Sequence, residues 1–283
     1  MGMLARWRAR TITIVGVLLV TVPALSGCTI SLGGTSSTQS PGGGSGGGSA
    51  PASAPTGVIV LQQGTKALKP PSGFNCPNQS LRGCFTSAGE MVTYYEYVLP
   101  FIDAFFQQTW PKLPLPDHVY FLSTGSKLHE ACGDPSTNSN LADDTSYEFC
   151  PTDNDVYIGE RLAFALYSQA GDVAPATGLA HELGHHIQSL TGVPVPQSNA
   201  QTRVHENQAD CVSGAFLGFA NDHKWLEKSD VPVLEAYLNL IASSENDPNR
   251  THGDFTERGA ALELGGKQGI KGCDSFYPDT PIA

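Results

Sequence analysis

The sequence predicts one α+β domain behind an N-terminal targeting and tether segment. Three observations point there. Short β-type runs precede longer segments of helical period, the pattern of an α+β chain. A content of 40% hydrophobic and 15% charged residues over 283 residues is that of a globular chain with a sizeable core. The first sixty residues depart from that composition and fall outside the domain.

The departure begins with Arg6, Arg8 and Arg10, followed by the apolar run "TITIVGVLLVTVPAL". That run is too short and too proline-interrupted for a membrane span, and reads as a signal peptide over residues 1–27. It ends in "LSGC", which resembles a bacterial lipobox with Cys28 as the lipidated first residue of the mature chain. The expected location is therefore the extracytoplasmic face of a bacterial cell membrane, held by a lipid anchor at Cys28. The competing readings are an ordinary secretory signal with a chance cysteine, or a single-pass anchor. Residues 28–56 are Gly/Ser/Pro-rich, bury no core and act as a flexible tether. Residues 57–283 form the expected domain. A formal net charge of −11 argues against a nucleic-acid partner.

Along the domain, "GVIVL" (57–61) is a short strand or the apolar end of the tether. Residues 87–110 carry apolar side chains at helical spacing, with Pro100 as a kink or break. "DHVYFL" and "NDVYIG" read as strands, and "ERLAFALYSQ" as a helix. Next, residues 171–196 show helix start and stop signals: Asp172 as N-cap, Pro175 in the first turn, Gly192 past the end and Pro194 beyond it. "ENQADCVSGAFLGFA" and "VPVLEAYLNLIAS" are two further helices. Tyr157 either faces a cleft or packs within its strand.

Besides Cys28, six cysteines remain, an even number that fits disulfides in an exported protein. The expected pairs are Cys76–Cys84, Cys132–Cys150 and Cys211–Cys273. The first two join sequence neighbours and the third ties the C-terminal tail to the core.

His181, Glu182 and His185 spell H-E-x-x-H. On a helix, positions i and i+4 share a face, so both imidazoles reach one ion and Glu182 lies beside it. This pattern arises by chance in about one chain in a hundred, so a third ligand is required. Glu206 supplies it, completing a His-His-Glu site for one zinc ion with a fourth position left for water. Asp210, four residues on, is expected to accept the second ring N–H of a ligand histidine, His181. His205 is the rival third ligand, and His186 points away from the ligand face. A metzincin pattern fails, because Gln188 and Thr191 stand where it needs Gly and His; a gluzincin arrangement passes. His252 either steadies an oxyanion or caps the helix that follows.

"HELGHHIQ", "ENQADC", "STGSKLHEACG", "FCPTDNDVYIG" and "RTHGDFTERG" together resemble the bacterial family called putative neutral zinc metallopeptidases, over residues 123–273. The tether, the region 76–84 and the loop 134–148 depart from it. The resemblance implies a zincin-like fold and peptidase activity; the motif itself puts Glu182 in place to activate the zinc-bound water. The expected substrate is a peptide or protein in the cell envelope. Two other readings carry the same residues: a non-catalytic zinc-binding envelope lipoprotein, including one that scavenges metal, and a zinc hydrolase of a cell-wall amide.

Overall fold

The computed structural model describes residues 56–66, 81–134 and 139–283. The signal peptide, Cys28, the tether up to residue 55 and Cys76 lie outside the described residues. Residues of the unit Ala54–Ala283 form a mixed helix and sheet domain, strands mostly early and helices late, as expected.

Two strands build the centre. β2 (His118–Leu122) and β6 (Asp155–Gly159) run parallel, with β1 (Val58–Val60) antiparallel outside β2 and β5 (Tyr147–Cys150) antiparallel outside β6. "GVIVL" is thus a strand, its chain paired from Val58 to Val60. Strand alternation divides the side chains between two cores. Val119, Phe121, Val156 and Ile158 join the main core, whereas Leu122 and Tyr157 join a small second core with Ala142 and Cys150. The small core belongs partly to a hairpin of β3 (Lys127–Asp134) and β4 (Ser139–Asp143). Its cover explains why β6 is buried along its whole length. Tyr157 accordingly packs within the strand, stacking on Tyr120 and donating its hydroxyl to Asp153.

The loop expected over 134–148 therefore holds β4 and the start of β5. Cys132 and Cys150 stand at disulfide-bonding distance and join β3 to β5. Cys84 is also disulfide-bonded, and its expected partner Cys76 lies outside the described residues.

On the main core, α1 (Met91–Thr109) runs unbroken through Pro100, where a kink or break was expected. Proline costs a helix interior roughly 3 kcal/mol. Tyr97, Val98, Leu99, Phe101 and Ile102 are all buried around it, and their burial offsets that cost. α2 (Glu160–Ala170) follows β6 directly.

α3 (Val173–Thr191) and α4 (Asn199–Asp222) carry the H-E-x-x-H motif and Glu206. Asp172 occupies the N-cap position of α3, but its side chain makes no capping bond; the backbone there is already helical. Gly192 ends α3 in the left-handed region (φ 75°, ψ 28°), where glycine is favoured. Ser198 caps α4 by accepting from the Gln201 N–H. The helix thus starts seven residues before "ENQAD", and Glu206 sits two turns inside it rather than at its opening.

α5 (Asp230–Ile241) precedes α6 (Phe255–Gln268) and the single-turn α7 (Ile270–Cys273). α6 packs on α4 through glycines, and a side chain at Gly214 or Gly265 would strike backbone atoms of the facing helix. Cys211–Cys273 stands at disulfide-bonding distance and ties α7 to α4. Among the described residues, no helix is long and apolar enough to cross a membrane.

Candidate metal centre

Close approach of two helices creates the site. At Gly184 a side chain would meet the Ala209 Cα at 2.8 Å, so α3 and α4 touch backbone to backbone between the motif histidines and Glu206. His181 and His185, one turn apart, then face Glu206 across that contact. Donor atoms of the three residues all lie within 4.8 Å of one another.

Hydrogen bonds to the outer ring nitrogens fix the inner ones. His181 Nδ1 lies 2.9 Å from Asp210 Oδ1, and a carboxylate only accepts, so Nδ1 carries a proton. His185 Nδ1 lies 2.8 Å from Gln188 Oε1. Gln188 spends its amide protons on the His205 carbonyl (2.8 Å) and Gln208 Oε1 (3.0 Å), so Oε1 faces His185 as an acceptor. In the neutral rings both Nε2 atoms are therefore bare lone pairs. Yet they stand 3.1 Å apart, with Glu206 Oε2 3.2 Å from His181 Nε2 and Oε1 3.5 Å from His185 Nε2.

Three acceptors converging in a buried pocket favour a shared positive charge, a ring proton or a metal ion. The electrostatics agree. Burial opposes charge on His181, but Asp210, Glu206 and Glu182 outweigh it and lift the ring to about 10. Burial likewise opposes ionisation of Glu206, yet His185 and His181 hold it well below the usual carboxylate range. Three ligands around a tetrahedral zinc, at bonds of about 2.0–2.1 Å, stand roughly 3.3 Å apart, close to the spacings found here. The donor set fits zinc.

Glu182 is buried beside this group, and burial raises its carboxyl above the ordinary value. Its Oε2 accepts from the Phe149 backbone N–H at 2.9 Å. That N–H belongs to β5, the strand at the sheet edge.

Of the remaining residues, Asp210 is brought to His181 and is fully buried; Arg258 and His181 hold its carboxyl down against burial. His205 is not part of the three-donor group and stacks on the His185 ring instead (5.4 Å, 15°). His186 is buried against Phe106 and Phe149, with Nε2 3.0 Å from the Pro114 carbonyl. His252 does not cap α6. Asp254 does, in a capping box with Glu257, and His252 Nε2 lies 3.3 Å from Glu206 Oε2 with its side chain half exposed.

Sequence reasoning missed Gln188, Arg258 and the Phe149 N–H. Gln188 entered only as a failed metzincin position. A backbone N–H leaves no residue signature, and Arg258 reaches Asp210 across 48 positions of sequence.

The model of the putative neutral zinc metallopeptidase family matches residues 105–247, half of the chain. The chain belongs to that family. The matched stretch of this zinc metallopeptidase family member holds His181, Glu182, His185, Glu206 and Asp210 and ends before "RTHGDFTERG". Similar proteins include the uncharacterized protein YpfJ of Escherichia coli, 31% identical over 113 residues, which are 35% of this chain and 38% of that protein. Another is the uncharacterized protein Rv2575 of Mycobacterium tuberculosis, 35% identical over 97 residues, 31% of this chain and 33% of that protein. The matches thus span only about a third of these relatives' length. No solved structure matches the chain.

Proposed function

We propose that this family member is a zinc metallopeptidase of zincin type, with His181, His185 and Glu206 as the metal ligands. The carrying observation is the convergence of two bare Nε2 atoms and a carboxylate, each outer nitrogen fixed by its own acceptor, beside a buried carboxylate. Zinc bound there would polarise a carbonyl and lower the pKa of a water to about 7. Glu182, its carboxyl raised by burial, is suited to take a proton from the attacking water and pass it to the leaving amine. The Phe149 N–H holds one carboxylate oxygen and leaves the other for that transfer. His252, at the exposed side of Glu206, is placed to donate to a developing oxyanion.

The proposed substrate is a peptide or protein of the cell envelope, reached from a lipid anchor at Cys28. The "LSGC" stretch and the two cysteine pairs at bonding distance support an exported location.

The test is incubation of the full chain, zinc-loaded and metal-free, with a diverse peptide mixture read by mass spectrometry. Cuts made only by the zinc-loaded protein are expected. Zinc bound without cuts would move the reading to a non-catalytic binding protein or a hydrolase of cell-wall amides.

A further inference from the structure

We propose that Arg258 is a positioning residue of the metal centre, acting through Asp210 on His181. The proposal rests on the reading of His181 as a metal ligand.

Arg258 Nη2 donates to Asp210 Oδ1 at 2.8 Å, and His181 Nδ1 meets the same oxygen at 2.9 Å. Asp210 Oδ2 has no hydrogen-bond partner among the described residues, so a single oxygen carries both bonds. Turning the carboxylate to suit one partner therefore moves it against the other. Both side chains are out of water: that of Arg258 is 4% exposed and that of Asp210 is 0%. A buried carboxylate needs a paired cation, and Arg258 supplies it. The guanidinium is anchored from behind, its Nη1 donating to the Ile241 carbonyl at 3.0 Å at the end of α5.

The surrounding stretch is built to hold this arginine. Asp254 and Glu257 cap the first turn of α6, and Arg250 pairs with Glu257 and donates to the His252 carbonyl. Gly253 lets the chain pass where a side chain would meet Asn207 Oδ1 at 2.7 Å and Arg258 Cγ at 2.9 Å. "RTHGDFTERG" thus places His252 at the outer side of Glu206 and Arg258 behind His181.

Zinc affinity of the full chain, measured by chelator competition, tests the proposal in a double-mutant cycle of Arg258→Met and Asp210→Asn. Partners that orient a ligand histidine are worth about 10–100-fold in affinity. Each single variant is expected to lose that much. The double variant should lose no more than the weaker single one, and Arg258→Lys should recover most of the affinity.

Losses that multiply in the double variant would overturn the proposal, as would wild-type affinity in a folded Arg258→Met protein. If Arg258→Met fails to fold, the double variant, which leaves no lone buried charge, is compared with Asp210→Asn. Equal affinity supports the proposal and further loss overturns it. Zinc uptake undiminished by His185→Ala would show instead that the metal-site reading is wrong, and the proposal would fall with it.

Discussion

The backbone N–H of Phe149 donates to Glu182 Oε2 at 2.9 Å, tying the edge strand of the sheet to the carboxylate of the H-E-x-x-H motif. The bond holds the side chain in place without using both of its oxygens. It also separates two roles that a mutation can distinguish.

Glu182→Gln keeps an acceptor for the Phe149 N–H but cannot carry a proton between water and amine. Zinc content and thermal stability should stay at wild-type levels. Peptide turnover should fall about 10²–10⁴-fold, the usual contribution of a general base. Wild-type turnover in the variant would remove Glu182 from the chemistry.

Gln188 leads to a second prediction. Its Oε1 holds His185 Nδ1, its amide donates to Gln208 Oε1, and Gln208 Nε2 donates to the Cys273 carbonyl at 3.1 Å. His185 is thus oriented through a relay that ends beside the Cys211–Cys273 pair. In Gln188→Ala the ring loses its acceptor and either nitrogen can carry the proton. Zinc affinity should drop roughly 10-fold or more, with little change in the far-UV circular dichroism. An unchanged affinity would show that packing against His205 orients the ring by itself.

Much of this centre was legible because it is local. His181, Glu182 and His185 share one helix turn, and Glu206 and Asp210 repeat the same spacing on the next helix. The strands His118–Leu122 and Asp155–Gly159 and the helix Asp230–Ile241 were legible for a similar reason, each with its period intact. What escaped depends on tertiary contact. Pro100 signals a kink or a break, and buried neighbours on both sides carry the helix through it unbroken. The stretch 134–148 is polar and reads as loop, but most of its pairing partners lie outside it: Lys127–His129 for β4, which also pairs Ser139 with Asp134, and Asp155–Ile158 for β5. The helix Phe255–Gln268 did carry a signal in Asp254 and Glu257, a capping-box spacing. Arg258 had none, since nothing local tells a buried helix arginine from an exposed one.

The Cys211–Cys273 pair closes a 62-residue separation and fastens α7 to the helix that carries Glu206 and Asp210. Replacing both cysteines with alanine should cost about 2–5 kcal/mol in denaturant unfolding. Because Gln208 bonds the Cys273 carbonyl, the same variant should also bind zinc less tightly. Equal unfolding midpoints for the oxidised wild type and the variant would show that the pair adds nothing to stability.

Away from the metal centre, Asp103 on α1 should make stability fall as pH rises. Its Oδ2 accepts from the Gly64 N–H at 2.6 Å, while Oδ1 is buried without a partner among the described residues. Burial pushes its carboxyl from 3.8 up to about 7, against the pull of that N–H. In the unfolded chain the group ionises near 4. Between about pH 4 and 7 the folded state therefore holds the proton more tightly than the unfolded state does. The stabilisation is fully present below pH 4 and is lost as pH rises through 7. The effect is on the order of 4 kcal/mol. Asp103→Asn keeps an acceptor for Gly64 and stays neutral at every pH. Its unfolding midpoint should match wild type near pH 4 and exceed it near pH 8, the gap opening between the two. A gap that does not change with pH would mean that the Asp103 carboxyl ionises at its ordinary value.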